Sequence, residues 1–190
     1  MAITDTEIVE RILLFEGSKY TDDPDDAGGP TRWGITQAVL AEWRGTITTP
    51  QDVQLLTREE AAAIYAHRYI RPFDGLPDPL RLNVVDMGVN AGVPRATILL
   101  QQTVGATVDG KLGPETKRLA AVTSWSPLFT GVRIAFYEDL IRAKPSQMKY
   151  RRGWRRRALS FVMPQVLSQV PRATLRTPGE PIFGHMGKAA

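Results

Sequence analysis

Apolar side chains recur at helical spacing along most of this 190-residue chain, and no segment of any length alternates as a strand does. Residues 3–15 predict the first amphipathic helix, which Thr4 or Thr6 can cap. Gly17 comes next, and a glycine at this point is typical of a helix end. We therefore predict a mainly α-helical fold in which Glu16 occupies the C-terminal end of the first helix.

Further amphipathic segments are separated by prolines and glycines. They predict helices over residues 35–43, 57–69, 80–91, 94–104, 127–142 and 158–170, the last interrupted at Pro164. After residue 170 the chain is rich in proline and glycine, which predicts a flexible tail over residues 171–190.

Composition excludes several kinds of chemistry. The chain has no cysteine, so disulfides, thiol nucleophiles and zinc–thiolate sites are excluded, and two histidines are too few for a histidine-based metal site. We expect no metal and no cofactor. No window approaches the ~20 apolar residues of a membrane span. The N-terminus lacks the basic stretch of a Sec signal, which predicts a protein that is made and kept in the cytoplasm, or exported by a route that this end does not show.

Candidate chemistry concentrates in residues 15–36, with the sequence FEGSKYTDDPDDAGGPTRWGIT. Negative charge is disfavoured at a helix C-terminus, which suits a carboxylic acid that donates a proton, although Glu16 could equally be an ordinary exposed helix-end residue. Four aspartates crowd the turn around Pro24, and their spacing does not fit an EF-hand. Two carboxylates across a cleft, one protonated and one ionised, are the groups of a glycosidase.

The same stretch resembles the N-terminal motif of family 108 glycoside hydrolases, which are phage and bacterial lysozymes (N-acetylmuramidases). The matching residues are Glu16-Gly17, Tyr20, Asp23-Pro24-Asp25-Asp26-Ala27-Gly28-Gly29, Thr31 and Gly34-Ile35-Thr36. Ser18 stands where the family has a second glycine, a change that matters only if that position needs positive φ. The resemblance covers roughly Ile8 to Trp154.

The resemblance implies a role for several residues. Glu16 would be the catalytic acid, and Asp26 with Thr31 would hold the attacking water; Asp22 and Asp25 compete with Asp26 for that role. Three further residues are candidates for substrate binding, each with a structural alternative. These are Tyr20 and Trp33, which would stack on sugar rings or pack in the core, and Asn90, which would reach the substrate or form a buried polar pair with Asp86.

The resemblance also implies a domain organisation. Residues 1–92 would form a lysozyme-like catalytic domain, and residues 93–170 a helical, predicted peptidoglycan-binding region packed on it. The string from Asp109 to Thr116 resembles a turn of that region, or it simply completes the helical core. Physically, Pro114 suits the first position of a helix.

The implied function is hydrolysis of the β-1,4 bond between N-acetylmuramic acid and N-acetylglucosamine. The setting would be that of a phage, prophage or gene-transfer-particle endolysin, which reaches the periplasm or cell wall after holin-type release. Two alternatives stay open: a lytic transglycosylase, and a non-catalytic cell-wall-binding phage component. We expect a monomer whose partner is the peptidoglycan glycan strand.

The chain has a net charge of +4, and its lysines and arginines are concentrated between residues 142 and 157. This stretch contains no aspartate or glutamate. Such a run favours an anionic partner or forms a solvated basic face. Nucleic acid, teichoic acid, acidic lipid and the peptide carboxylates of peptidoglycan all fit. We expect acidic envelope polymers rather than nucleic acid, because no motif for reading nucleic acid is present.

Overall fold

The computed structural model describes residues 3–22, 28–122 and 124–161, and these are mainly helical, which confirms the predicted fold class. They form two compact units, with the division between Arg71 and Pro72. The domain boundary predicted between residues 92 and 93 stays a prediction.

The first unit, over residues 4–71, holds four helices among its described residues: α1 (Asp5–Glu16), α2 (Gln37–Arg44), α3 (Pro50–Gln54) and α4 (Arg58–Tyr65). A capping box between Thr4 and Glu7 begins α1. The buried face of α1 consists of Ile8, Val9, Ile12 and Leu13. This face fixes the direction of the helix and thereby the position of its last residue, Glu16.

A short antiparallel hairpin, which the sequence analysis missed, lies between α1 and α2. Its strands are β1 (Thr31–Arg32) and β2 (Ile35–Thr36). Two residues are too few to show the alternation that marks a strand in sequence. The Arg32 guanidinium donates to the carbonyl of Gln54 at the end of α3, so the hairpin is tied to a helix of the same unit.

The helix predicted over residues 57–69 changes its geometry near its end. The α-helical part ends at Tyr65, and a π-helical turn, Ala66–Ile70, and a 3-10 turn, Arg71–Phe73, follow. The π turn packs against α1. Single π turns inside helices occur often at functional sites because they shift the angular spacing of the side chains that follow.

The second unit contains α5 (Leu80–Ala91), α6 (Val93–Val104), α7 (Pro114–Ala120), α8 (Ser126–Ala143), a 3-10 turn (Pro145–Tyr150) and α9 (Arg151–Ser160). Helix α5 matches its predicted bounds, and α6, α7 and α8 begin within a residue of theirs. The prediction for the last helix was wrong at its start: the helix begins at Arg151, because Trp154 and Ala158 bury one side of the basic run. Its predicted continuation from 162 to 170 and the predicted tail lie outside the described residues.

A buried ionic network joins three helices of the second unit. Asp86 on α5 accepts hydrogen bonds from Arg133 of α8 and from Arg157 of α9, at 2.5 and 2.7 Å. All three side chains are at most 1% exposed. Arg133 also donates to Tyr137 at 2.8 Å and to Asn83 at 3.2 Å. Because charge this deep in a protein is stable only when paired, the network fixes how the three helices pack.

The Asp109–Thr116 string forms a turn whose polar groups are satisfied within the unit. The buried Gln101 side chain donates to Asp109 at 2.6 Å and to the Lys111 carbonyl at 3.0 Å. It accepts from the backbone N–H groups of Asp109 and Gly110. This geometry favours the interpretation in which the string completes the helical core. Within the described ranges, no helix is both long and apolar enough to cross a bilayer.

Candidate active site

Glu16 is the last residue of α1, and its side chain is partly exposed. Gly17 follows with φ 74° and ψ 168°, a conformation that is essentially restricted to glycine, and its N–H donates to the Leu13 carbonyl at 3.0 Å. The backbone therefore turns away directly after the carboxylate. Ser18 is not among the residues with positive φ, which explains why it can replace the second glycine of the family motif.

The turn of the hairpin consists of Trp33 and Gly34. Both have positive φ, 54° and 72°, as a two-residue type I′ turn requires. Positive φ is ordinary for glycine and unusual for a bulky residue such as tryptophan. The Trp33 indole N–H is also buried and has no hydrogen-bond partner within the described ranges. Two unfavourable features at one residue indicate that the surrounding structure imposes this turn, as is common at functional sites.

Gly34 lies directly against the candidate acid. A methyl group built on its α-carbon would stand 2.7 Å from Glu16 Oε2 and 2.5 Å from Tyr65 Oη. Both distances are too short for a methyl carbon and an oxygen that are not bonded. The hairpin turn, the end of α1 and the end of α4 therefore meet at the Glu16 carboxylate, and only glycine leaves room for it.

Tyr65 holds the turn in place. Its side chain is buried, and its hydroxyl donates to the Trp33 carbonyl at 2.9 Å. This bond fixes the peptide unit that precedes Gly34. Tyr65 thus links the strained turn to α4, beside the Glu16 carboxylate.

Tyr69, in the π turn, is a second tyrosine near the acid. Its ring centroid lies 5.6 Å from that of Tyr65. Burial raises the pKa of Tyr69; Arg68 acts against this shift, and the negative charge of Glu16 adds to it. The Tyr69 hydroxyl therefore stays neutral at ordinary pH. The effect of Glu16 on this pKa shows that the two side chains are close.

Sequence reasoning missed Gly34, Tyr65 and Tyr69 as members of this site. A signal was available, because the two tyrosines lie four residues apart on a predicted helix and so share one side of it. Nothing local, however, indicated that this side faces Glu16. His67, one of the two histidines, is exposed, and its ring centroid lies 5.6 Å from that of Trp43.

The predicted loop residues are placed only in part. Thr31 begins β1, and its hydroxyl donates to the Gly29 carbonyl at 2.9 Å. Tyr20 is partly buried, and its hydroxyl donates to Asp22 at 3.1 Å. Asp25 and Asp26 lie outside the described residues. The water-holding role of Asp26 with Thr31, and the sugar-stacking roles of Tyr20 and Trp33, stay predictions.

Asn90 lies in the second unit, near the end of α5. Its side-chain amide donates to the Tyr137 hydroxyl at 3.3 Å, and that hydroxyl belongs to the network around Asp86 and Arg133. Asn90 is only partly buried, and this partner lies on α8, so the contact differs from the buried pair with Asp86 that was the structural alternative. The substrate-binding role of Asn90 stays a prediction.

Comparison with known proteins places this site in a family. Residues 9–92 match the sequence model of the family described as Glycosyl hydrolase 108. This segment belongs to glycosyl hydrolase family 108. It contains most of α1 with Glu16, the hairpin, α4 and α5, and the match supports a glycoside hydrolase.

The fold is also similar to a solved structure described as Brucella abortus SagA. The TM-score is 0.73 with 26% identity, and the alignment covers 92% of this chain and 97% of the other. The likeness therefore extends well beyond the segment matched by the family. A comparison with curated proteins found no match.

We expect Gly34→Ala to lower kcat/KM about 100-fold, because displacing a reacting group by about an ångström has effects of this size. Gly45→Ala is the matched control, since Gly45 also has positive φ but a Cβ there would meet nothing within 4 Å. Both variants carry the backbone cost of alanine at positive φ, about 1–2 kcal/mol. Release of soluble fragments from purified cell walls measures the difference. Equal rates for the two variants would contradict the close approach to Glu16.

Proposed function

We propose that this chain is a peptidoglycan hydrolase, a lysozyme that cleaves the β-1,4 bond between N-acetylmuramic acid and N-acetylglucosamine. The observation that carries the proposal is the Glu16 carboxylate, which lies at the end of α1 against Gly34 inside a family 108 segment. The family supports a glycoside hydrolase, and the specific bond is our inference.

In this proposal Glu16 protonates the glycosidic oxygen as the bond to the sugar breaks. A general acid has to keep one orientation, and here the hairpin turn at Gly34 packs directly against the carboxylate. The Tyr65 hydroxyl donates its hydrogen bond to the Trp33 carbonyl, so its role is to fix the geometry of the turn. Tyr69 adds a partly buried, neutral side chain close enough to Glu16 for its charge to act on the pKa of the hydroxyl.

Asp26, with Thr31, would hold the water that attacks the opposite face of the sugar. The Thr31 hydroxyl donates to Gly29, and its oxygen keeps lone pairs that can accept from a water molecule. A water-mediated attack predicts inversion at the anomeric carbon, with the two carboxyl groups roughly 6.5–9.5 Å apart. Proton NMR of the first-formed anomer tests this step, and retention would remove Asp26 from the role.

Mass spectrometry of the soluble fragments released from purified peptidoglycan tests the reaction itself. Digests with the wild-type protein and with Glu16→Gln are compared. We expect fragments with reducing N-acetylmuramic acid ends from the wild-type protein alone. Anhydro ends would instead identify a lytic transglycosylase, and no fragments from either protein would indicate a wall-binding component.

We extend the proposal to the biological setting: a monomeric phage, prophage or gene-transfer-particle endolysin that acts on glycan strands after holin-type release. Expression in a bacterial cytoplasm tests this part. We expect intact cells until the inner membrane is permeabilised, followed by rapid lysis that Glu16→Gln does not produce. Lysis without permeabilisation would contradict the need for release.

A further inference from the structure

The basic run near the end of the described chain divides into two sets of side chains. Arg157 is buried and pairs with an aspartate of α5 at 2.6 Å. Arg151, Arg152 and Arg155 lie on the exposed side of the same helix, α9, and together with Met148 they line an open cavity of about 540 Å³. We call these three exposed arginines the arginine face.

Glu138 of α8 orients two members of the arginine face. Its carboxylate accepts from Arg151 Nε at 2.9 and 3.0 Å and from Arg155 Nη1 at 3.2 Å. The hydrogen bond from Arg151, aided by Arg155, holds the pKa of Glu138 below its usual value, so the carboxylate is ionised at neutral pH. Each guanidinium keeps further N–H donors for an outside anion, and its orientation is already set.

Arg152 has no ion-pair partner in the described part of the chain, and it shares the first turn of α9 with Arg151. This turn contains no acid. Cations at a helix N-terminus are electrostatically unfavourable because the helix dipole is positive there. An external anion would relieve this repulsion, so the arrangement favours an anionic partner over a plainly solvated face.

Two exposed apolar side chains indicate which anionic partner fits. Met148 is 54% exposed and Leu159 is 55% exposed. Arg152, Arg155 and Leu159 follow spacings of three and four residues on α9, which place them on one side of the helix. Met148, in the preceding 3-10 turn, lines the same cavity as the arginines. A hydrophilic polymer would leave both apolar side chains in water, whereas a bilayer accommodates arginines at its headgroups and apolar groups at the acyl boundary.

We propose that the arginine face, with Met148 and Leu159 at its two ends, docks on a bilayer that carries anionic phospholipids. The docking goes beyond the proposed hydrolysis and does not depend on it. Docking of this kind would hold the protein at the surface of a membrane.

Sedimentation of the full chain with lipid vesicles tests this proposal without any cell wall present. The vesicles contain phosphatidylcholine alone or with about one-third phosphatidylglycerol. We expect binding to the anionic vesicles only, and we expect salt to weaken it as screening increases. The double variant Arg152→Gln/Arg155→Gln should bind about 30-fold more weakly, given the usual effect of each arginine near an anionic surface.

The matched control is Arg95→Gln/Arg118→Gln, which removes two exposed arginines of the same unit and changes the net charge equally. We expect it to bind within about threefold of the wild type, because these residues lie off the docking surface. Circular dichroism and the melting temperature show whether each variant is folded. A second double variant, Met148→Ser/Leu159→Ser, leaves the charge unchanged and should also bind more weakly.

Three outcomes would overturn the proposal. One is equal loss of binding in both arginine variants, which would show a nonspecific charge effect. Another is full binding by Met148→Ser/Leu159→Ser, which would leave only a polyanion site. The third is binding to purified sacculi or to DNA, but not to vesicles, that disappears in the Arg152→Gln/Arg155→Gln variant. Because the vesicles contain no peptidoglycan, none of these results depends on the hydrolase activity.

Discussion

Glu16→Gln is expected to reduce turnover of peptidoglycan about 10²–10⁴-fold, the range that a general acid contributes. Glutamine is nearly isosteric with glutamate, so it fits the space against Gly34, but it cannot protonate the leaving oxygen. The side chain is at a helix C-terminus, where loss of negative charge changes the free energy of unfolding by about 1 kcal/mol or less. Rates of fragment release from sacculi, with urea unfolding of the same preparations, measure both quantities.

Glu10→Gln provides the matched control for that experiment. It makes the same substitution on the same helix, at a half-exposed residue that pairs with Arg58. An exposed ion pair contributes little, so we expect nearly wild-type turnover and stability within about 1 kcal/mol. If Glu16→Gln and Glu10→Gln released fragments equally fast, Glu16 would not be the catalytic acid.

Asp86→Asn is expected to lower the free energy of unfolding by about 3–5 kcal/mol, since it leaves two buried arginines without their counter-charge. Arg133 and Arg157 both pair with this carboxylate, and neither is more than 1% exposed. Asparagine keeps the volume of the side chain, so the loss reports charge and not packing. Urea unfolding, analysed for both midpoint and slope, measures the change.

Asp139→Asn is the control for Asp86→Asn. Asp139 pairs with Arg142 at 2.5 Å, but the two side chains are 63% and 77% exposed. Solvent screens such a pair, and its loss should cost less than about 1 kcal/mol. A change at Asp86 as small as the one at Asp139 would show that the arginines find other compensation.

The hydrophobic pattern predicted most helices of this protein, because helix periodicity, caps and end signals are properties of neighbouring residues. Helix α5 is the clearest case, and its polar residue Asp86 was expected to be buried. The pattern could not predict the two-residue strands or the start of α9. In both places a contact with residues far along the chain decides the local structure.

Local spacing and residue type were enough to predict that Glu16 ends a helix and that a glycine follows it, and the resemblance of the motif to a known family indicated a glycosidase. Which residues surround the acid depends on packing in three dimensions: a strained hairpin turn brings Gly34 against its carboxylate, and Tyr65 holds that turn from α4. Packing also determines that Arg157 pairs with a buried aspartate while the arginine face is exposed to solvent. Burial of a side chain arises from contacts between helices, and the spacing of charges along the chain does not encode it.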